Sequence, residues 1–216
     1  MTRATGPVET ALRSLFPDKV AVAAERIVSP DAKALWPGEH AGIAGAVASR
    51  LAEFVAGRTA ARRVLRALGQ PEQALPMGPD RAAIWPDGIA GSIAHAAGIA
   101  VAVGWRGAAV GVDIEADAEI APDLWEIVCR PEELGRLAHD GTGRLVQHIY
   151  CAKEAVFKAQ EPGRRAMFGH EVLSVTLAGT RFDAHVLKEA GAFQAGQIVR
   201  GRMALLDGLV LAGVAM

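Results

Sequence analysis

From His40 to Leu68 apolar residues return at steps of three and four. Ile43, Val47, Leu51, Phe54 and Val55 stand in an alanine-rich background, which predicts a helix. Gly57 interrupts the pattern without ending it. Gly69, followed by Pro71, supplies the stop. A second helical stretch covers Arg144 to Ala159 and ends at Glu161-Pro162-Gly163. Pro122–Ile127 and Pro131–Ala138 read as shorter helices, with Pro131 at the first-turn position it tolerates. Elsewhere the period falls to two. Ile99–Val103, a turn at Arg106-Gly107 and Ala109–Ile114 predict an antiparallel hairpin. After Phe168, the runs Val172–Leu177, Phe182–Val186, Ile198–Ala204 and Leu209–Val214 predict an antiparallel meander. Residues 70–90 form a proline-punctuated loop. Residues 1–40 carry little pattern: Val20–Ala24 suggests a strand, Ser29-Pro30-Asp31 a turn or helix start, and Trp36-Pro37-Gly38 a break.

Composition narrows the class. The chain has 216 residues, 51% hydrophobic and 22% charged, which describes a globular protein able to bury a core. The longest apolar run, Ile99 to Trp105, is strand-sized and far from the roughly 18 residues of a membrane span. No signal peptide is visible at the N-terminus, since Val20–Ala24 is too short for its apolar region. A net charge of −1 argues against a general nucleic-acid binder. Cys129 and Cys151 make no disulfide framework and read as free thiols, so a cytoplasmic location is expected.

The chemistry concentrates in two stretches. In Gly111-Val112-Asp113-Ile114-Glu115 the apolar residues take one face of a strand, and Asp113 and Glu115 share the other, about 6.6 Å apart. That spacing suits a grip on one hard cation, and equally the solvated face of an antiparallel strand. Glu154 and Lys158 stand one turn apart on a helix, an arrangement that suits either a surface pair or a carboxylate and lysine working on a phosphate. Upstream, Arg50, Arg58 and Arg62 fall within an arc of about 120° on the first long helix. Such a stripe can be a solvated face, a nucleic-acid contact or a phosphate clamp. His95 follows a glycine-bearing segment at a strand margin, where a histidine serves as a structural hydrogen-bonder or as a ligand.

Other signatures are missing. There is no Gly-x-x-x-x-Gly-Lys-Ser/Thr loop, Gly-x-Gly-x-x-Gly, His-Glu-x-x-His or Gly-x-Ser-x-Gly. His139, His148, His170 and His185 show no mutual ligand spacing and receive no role. The four tryptophans read as partial core, and Cys151 has no visible activating partner.

Several blocks taken in order carry a resemblance. They are Glu53-Phe54-x-x-Gly57-Arg58-x-x-Ala61-Arg62, Gly78-x-x-Arg81-Ala82-x-x-Trp85-Pro86, Gly91-Ser92-Ile93-x-His95, Gly111-Val112-Asp113-Ile114-Glu115 and Ala152-Lys153-Glu154-Ala155-x-x-Lys158. Together, over residues 45–165, they resemble the surfactin-type 4'-phosphopantetheinyl transferases, in particular the enterobactin synthase component D group. The resemblance implies an α+β fold of two similar lobes about a pseudo-twofold axis, antiparallel sheets packed with helices. The lobes would span 1–108, carrying the phosphate clamp, and 109–216, carrying the metal and catalytic residues, with a boundary near Arg106–Ala109.

The implied reaction moves the phosphopantetheine arm of coenzyme A to a serine of an apo acyl or peptidyl carrier, releasing adenosine 3',5'-bisphosphate. Arg50, Arg58 and Arg62 would clamp the 3'-phosphate, because arginine forks grip phosphate bidentately. His95 and Arg81 would contact phosphate. Asp113, Glu115 and Glu154 would hold Mg²⁺, Glu154 would also serve as general base, and Lys158 would stabilise or protonate the leaving phosphate. With both lobes in one chain, an active monomer is implied. Two positions depart from many relatives: Ala94 replaces a hydroxyl residue before His95, and Met77 stands near a family lysine. Which carrier is modified, of siderophore, polyketide or fatty-acid type, is left open. Two other readings use the same residues, a metal-dependent hydrolase of coenzyme A's pyrophosphate and a silent coenzyme A- or carrier-binding module.

Overall fold

The computed structural model describes residues 4–28, 31–107, 109–137, 143–161 and 163–216. Ser29-Pro30, Ala108, Ala138, His139 and Pro162, where sequence suggested a turn, a boundary, a helix end or no role, lie outside the described residues.

The first long helix of the sequence, α2 below, ends where expected and starts later than expected. It runs Ala48–Ala67. At its end Gly69 takes φ 68°, Gly69 N–H donates to Arg66 O (3.0 Å) and Gln70 N–H to Leu65 O (2.9 Å). This left-handed cap satisfies the last carbonyls. The predicted start at His40 is corrected: His40–Ile43 is a 3-10 turn, and Gly45 at φ 75° breaks the helical path.

Ahead of it lie α1 (Thr5–Leu15) and β1 (Ala21–Arg26). The helix α1 went unpredicted, although Val8, Leu12 and Leu15 recur at helical spacing and are all buried. After α2 come β2 (Ala90–Ala96), β3 (Ile99–Trp105) and β4 (Val110–Ala116). The short helices α3 (Trp125–Val128) and α4 (Pro131–Leu137) lead to α5 (Gly143–Lys158). The chain closes with β5 (Leu173–Ala178), β6 (Arg181–Val186), β7 (Ile198–Leu206) and β8 (Leu209–Ala215).

Among the described residues the strands form two antiparallel sheets, ordered β1-β3-β2 and β4-β8-β7-β6-β5. The tail is the expected meander. The expected hairpin between Ile99–Val103 and Ala109–Ile114 is not formed. β3 instead pairs with β2 across Ala97-Gly98, with Ala96 opposite Ile99, while β4 pairs with β8, with Asp113 opposite Ala212. Ala97 and Gly98 take φ 49° and 80°, and two successive positive φ values give the turn whose twist matches paired strands. Arg106-Gly107 carries the chain between sheets. The α+β class, with antiparallel sheets packed with helices, is as the resemblance implied.

The two sheets share a core. Val8 and Leu12 of α1 belong to one buried cluster with Val101 and Val103 of β3 and Leu209 and Leu211 of β8. Where β2 and β4 approach, Val112 N–H donates to Ser92 Oγ (3.1 Å). On the other face of the larger sheet α5 buries Val146, Ile149, Ala152 and Val156. α5 lies so close to β4 that a Cβ on Gly111 would stand 2.0 Å from Ala155 O and 2.7 Å from Ala159 N. Only glycine fits between two backbones at that distance. Gly111→Ala is therefore expected to lower the urea-unfolding free energy by about 1–3 kcal/mol, the cost of overpacking. An unchanged midpoint would contradict the close approach.

Candidate active site

The contact of β4 with α5 brings the predicted carboxylates and lysine to one place. Asp113 is buried, and Lys158 Nζ donates to its Oδ1 at 2.5 Å. Its Oδ2 is buried with no partner among the described residues. Burial raises the Asp113 pKa, and the Lys158 ammonium opposes that rise without cancelling it. Burial pulls Lys158 down, but attraction to Asp113 and Glu154 outweighs it, so the lysine stays charged. Glu154 lies 4.0 Å from Lys158 Nζ and accepts from His170 Nε2 at 3.2 Å. Burial alone would raise Glu154; the bond from His170 and the charge of Lys158 prevail and hold it below the usual carboxylate range. Glu115 is half-buried, and burial, then the charges of Asp113 and Glu154, push it up to about 7.

Lys158 also faces a cavity of about 280 Å³ that opens beside this cluster. Arg50 and Arg58 of α2, Arg81 and Trp85 of the proline-rich loop, His95 of β2 and Arg165 beyond α5 line it. Arg50 Nη1 bridges His95 Nε2 (2.8 Å) and Glu53 (3.3 Å). His95 is the penultimate residue of β2, at the strand margin as expected; burial first, then the charges of Arg50 and Lys158, lower its pKa against the pull of Glu53. Arg58 is buried on the Phe54 ring, 4.1 Å from its centroid, and its Nε donates to Leu75 O (2.6 Å). Burial lowers its pKa to about 10, which leaves it charged at neutral pH. Arg81 holds φ 64°. Trp85, expected as partial core, lies across Gly91 and lines the cavity as well.

The arginine stripe divides. Arg62 does not line the cavity: it is buried, and its Nη1 donates to both oxygens of Glu39 (2.9 and 3.0 Å). Met77 and Ala94 also lie off the cavity lining, whereas Ser92 is part of it with its hydroxyl accepting from Val112 N–H of β4.

The three carboxylates predicted as metal ligands are near enough to feel one another's charge. Among the described residues, however, no group of three or more His, Cys, Asp or Glu side chains is arranged to hold a metal ion. Lys158 occupies Asp113 instead. The donor chemistry still fits a hard dication: Asp113 keeps an unpartnered oxygen, and Glu115 is raised first by burial and then by its acidic neighbours.

Sequence reasoning missed three supports. His170, given no role, orders Glu154 and packs edge-on to Tyr150 with ring centroids 5.3 Å apart. Lys153, wholly buried, donates to Val128 O, Glu133 and His170 O, fixing the backbone that carries His170. Glu39, fully buried, anchors Arg62. No local spacing marks His170 or Glu39. Lys153 lay inside the recognised block, and a lysine on the apolar face of α5 was the available signal.

The 4'-phosphopantetheinyl transferase N-terminal domain family matches residues 38–104, and the 4'-phosphopantetheinyl transferase superfamily matches residues 109–201. The chain belongs to the 4'-phosphopantetheinyl transferase family. The transferase is 34% identical to the 4'-phosphopantetheinyl transferase Svp of Streptomyces mobaraensis over 193 residues, 84% of this chain and 78% of that protein. It is 30% identical to PptT of Mycobacterium tuberculosis, over 89% of this chain and 91% of that one. With enterobactin synthase component D of Salmonella typhi it shares 34% identity over 77% and 72% of the two chains. The chain is thus an enzyme of the phosphopantetheinyl-transferring type. Among its described residues no helix is long and apolar enough to cross a membrane.

The raised Glu115 has a measurable consequence for the metal-free transferase. Its folded pKa, about 7, exceeds its ordinary 4.5, so folding favours the protonated acid. That stability is fully present below about pH 4.5 and is lost as pH rises through 7. In chelator, wild-type unfolding midpoints should fall between pH 5 and 8 relative to Glu115→Gln, whereas parallel profiles would deny the shift.

Proposed function

We propose that this transferase moves the 4'-phosphopantetheine arm of coenzyme A to a serine hydroxyl of an apo acyl or peptidyl carrier protein, acting as a monomer. The observation that carries the reading is the double position of Lys158, which faces the arginine-lined cavity and also bonds Asp113 beside Glu154. The cavity offers several arginine forks to a ligand rich in phosphate. We assign the 3'-phosphate to Arg50 and Arg58, with His95 and Arg81 on neighbouring phosphate oxygens. Arg62 is spent on Glu39 and is left out of the clamp.

Glu154, kept ionised by His170 and Lys158, accepts the serine proton as the hydroxyl oxygen attacks the phosphorus bearing the pantetheine arm. The phosphorus–oxygen bond of the pyrophosphate breaks, and adenosine 3',5'-bisphosphate leaves. Lys158, a persistent ammonium, stabilises the charge that gathers on the leaving phosphate. Asp113, Glu115 and Glu154 are the residues that would hold Mg²⁺. Bound there, the ion would neutralise charge on the phosphoryl oxygens. We place the functional boundary between residues 1–108 and 109–216, with the clamp on the first segment and the acid–base residues on the second.

Three measurements test the reading. Mass spectrometry of an apo carrier incubated with coenzyme A and Mg²⁺ should show a phosphopantetheine adduct on serine. Coenzyme A consumed equally fast without carrier would point to a hydrolase instead. Glu154→Gln should slow transfer by at least ~100-fold, the low end for acid–base catalysis, and a fully active variant would remove the assigned base. Arg58→Ala should weaken coenzyme A binding by about 1.5–3 kcal/mol, the range for charged hydrogen bonds, and barely affect 3'-dephospho-coenzyme A. Equal losses for both ligands would remove the clamp.

A further inference from the structure

We infer that Glu39 is a positioning residue for Arg58, acting through the peptide groups of Leu75, and that it thereby sets the preference for a 3'-phosphorylated ligand. The inference rests on the assignment of Arg58 to the 3'-phosphate made above. Glu39 is fully buried and accepts on both oxygens. Oε1 takes Leu75 N–H (2.9 Å) and Arg62 Nη1 (2.9 Å), and Oε2 takes Trp36 N–H (2.9 Å) and Arg62 Nη1 (3.0 Å). Arg62 Nη2 donates in turn to Ala34 O (3.1 Å). One carboxylate thus fastens three separate stretches: the segment around Ala34–Glu39, helix α2 and the start of the proline-rich loop.

The bond to Leu75 is the one that reaches the cavity. Leu75 itself is fully buried, its N–H held by Glu39 and its C=O taken by Arg58 Nε at 2.6 Å. Phe54 supports the guanidinium from below at 4.1 Å. With Nε committed and the plane stacked, both remaining rotations of the fork are fixed. The two Nη groups, without a protein hydrogen bond among the described residues, are left for an anion in the cavity that Arg58 lines. A planar fork recognises phosphate only in a set orientation, so the anchor of Leu75 controls selectivity as well as affinity. Arg62 is paired with the buried Glu39 carboxylate, so the stripe divides into one arginine for the ligand and one for the frame.

The test separates the anchor from general stability. A buried ion pair can be replaced by neutral residues of similar volume without loss of fold. Two double variants do so: Glu39→Gln with Arg62→Met keeps an acceptor for Leu75 N–H, and Glu39→Leu with Arg62→Met has none. Titration calorimetry should find coenzyme A bound by the first within about twofold of wild type, and by the second ~10-fold more weakly, the loss of one charged hydrogen bond. Binding of 3'-dephospho-coenzyme A should be alike in all three. Equal coenzyme A affinity in the two variants, or equal loss of both ligands in the second, would overturn the inference. A further readout needs no variant: the Arg58 Nε–H in the ligand-free wild type should exchange slowly with solvent by NMR, and fast exchange would overturn it too. Arg58→Ala serves as the control. If that variant no longer prefers coenzyme A while both double variants keep the preference, Glu39 alone is wrong; if it keeps the preference, the phosphate assignment beneath is wrong.

Discussion

A backbone-to-backbone contact governs this site. Because Gly111 has no side chain, the β4 main chain lies directly against the carbonyl of Ala155, and everything on the last turn of α5 is drawn toward the residues that follow Gly111. Asp113, two residues on, then meets Lys158, one turn beyond Glu154. The larger sheet and the burial of Val146, Ile149 and Val156 hold the helix in that seat. The geometry of this cluster is thus an outcome of packing distance: a single methyl group between strand and helix would move Lys158 away from Asp113.

Around this contact the protein spends buried charge on placement. Lys153 with Glu133, and Arg62 with Glu39, are ion pairs taken almost wholly from water. Such pairs add little net stability over apolar packing. They do fix direction, since each pair also binds main-chain atoms of short or irregular segments: Lys153 those of Val128 and His170, Glu39 those of Trp36 and Leu75. These segments are thus fixed in place by charged side chains paired with residues of the long helices, Lys153 of α5 and Arg62 of α2.

Much of this was legible in the sequence, for identifiable reasons. The period of two after Phe168 reported a sheet whose pairing is sequential, so the meander could be read strand by strand. Glycine and proline around residue 69 marked the helix end because a left-handed cap has few other solutions. The hairpin was misread because Ala97-Gly98 lacks the asparagine or aspartate that usually advertises such a turn, while Arg106-Gly107 looked more like one. At the site, Asp113, Glu154 and Lys158 were visible by spacing along single elements. His170 and Glu39 were not, since each meets its partner only through tertiary folding. Helical phase put Arg62 beside Arg58 on one face, yet phase carries no information about what the rest of the chain lays over that face.

The two cysteines gain meaning from the family's chemistry. Cys151 is wholly enclosed with its S–H directed at Val210 O (3.7 Å), and Cys129 is buried as well. Burial, then neighbouring carboxylates, lifts Cys129 to about 12 and Cys151 well above its ordinary value. Thiol–disulfide exchange proceeds through an accessible thiolate. The proposed substrate ends in a thiol, and oxidised coenzyme A is a disulfide. An enzyme with an exposed, ionisable cysteine near such a ligand would be open to capture as a mixed disulfide. Here burial in the core beneath α5 keeps both sulfurs out of that exchange, so the thiol of the proposed substrate would meet no reactive partner in either cysteine.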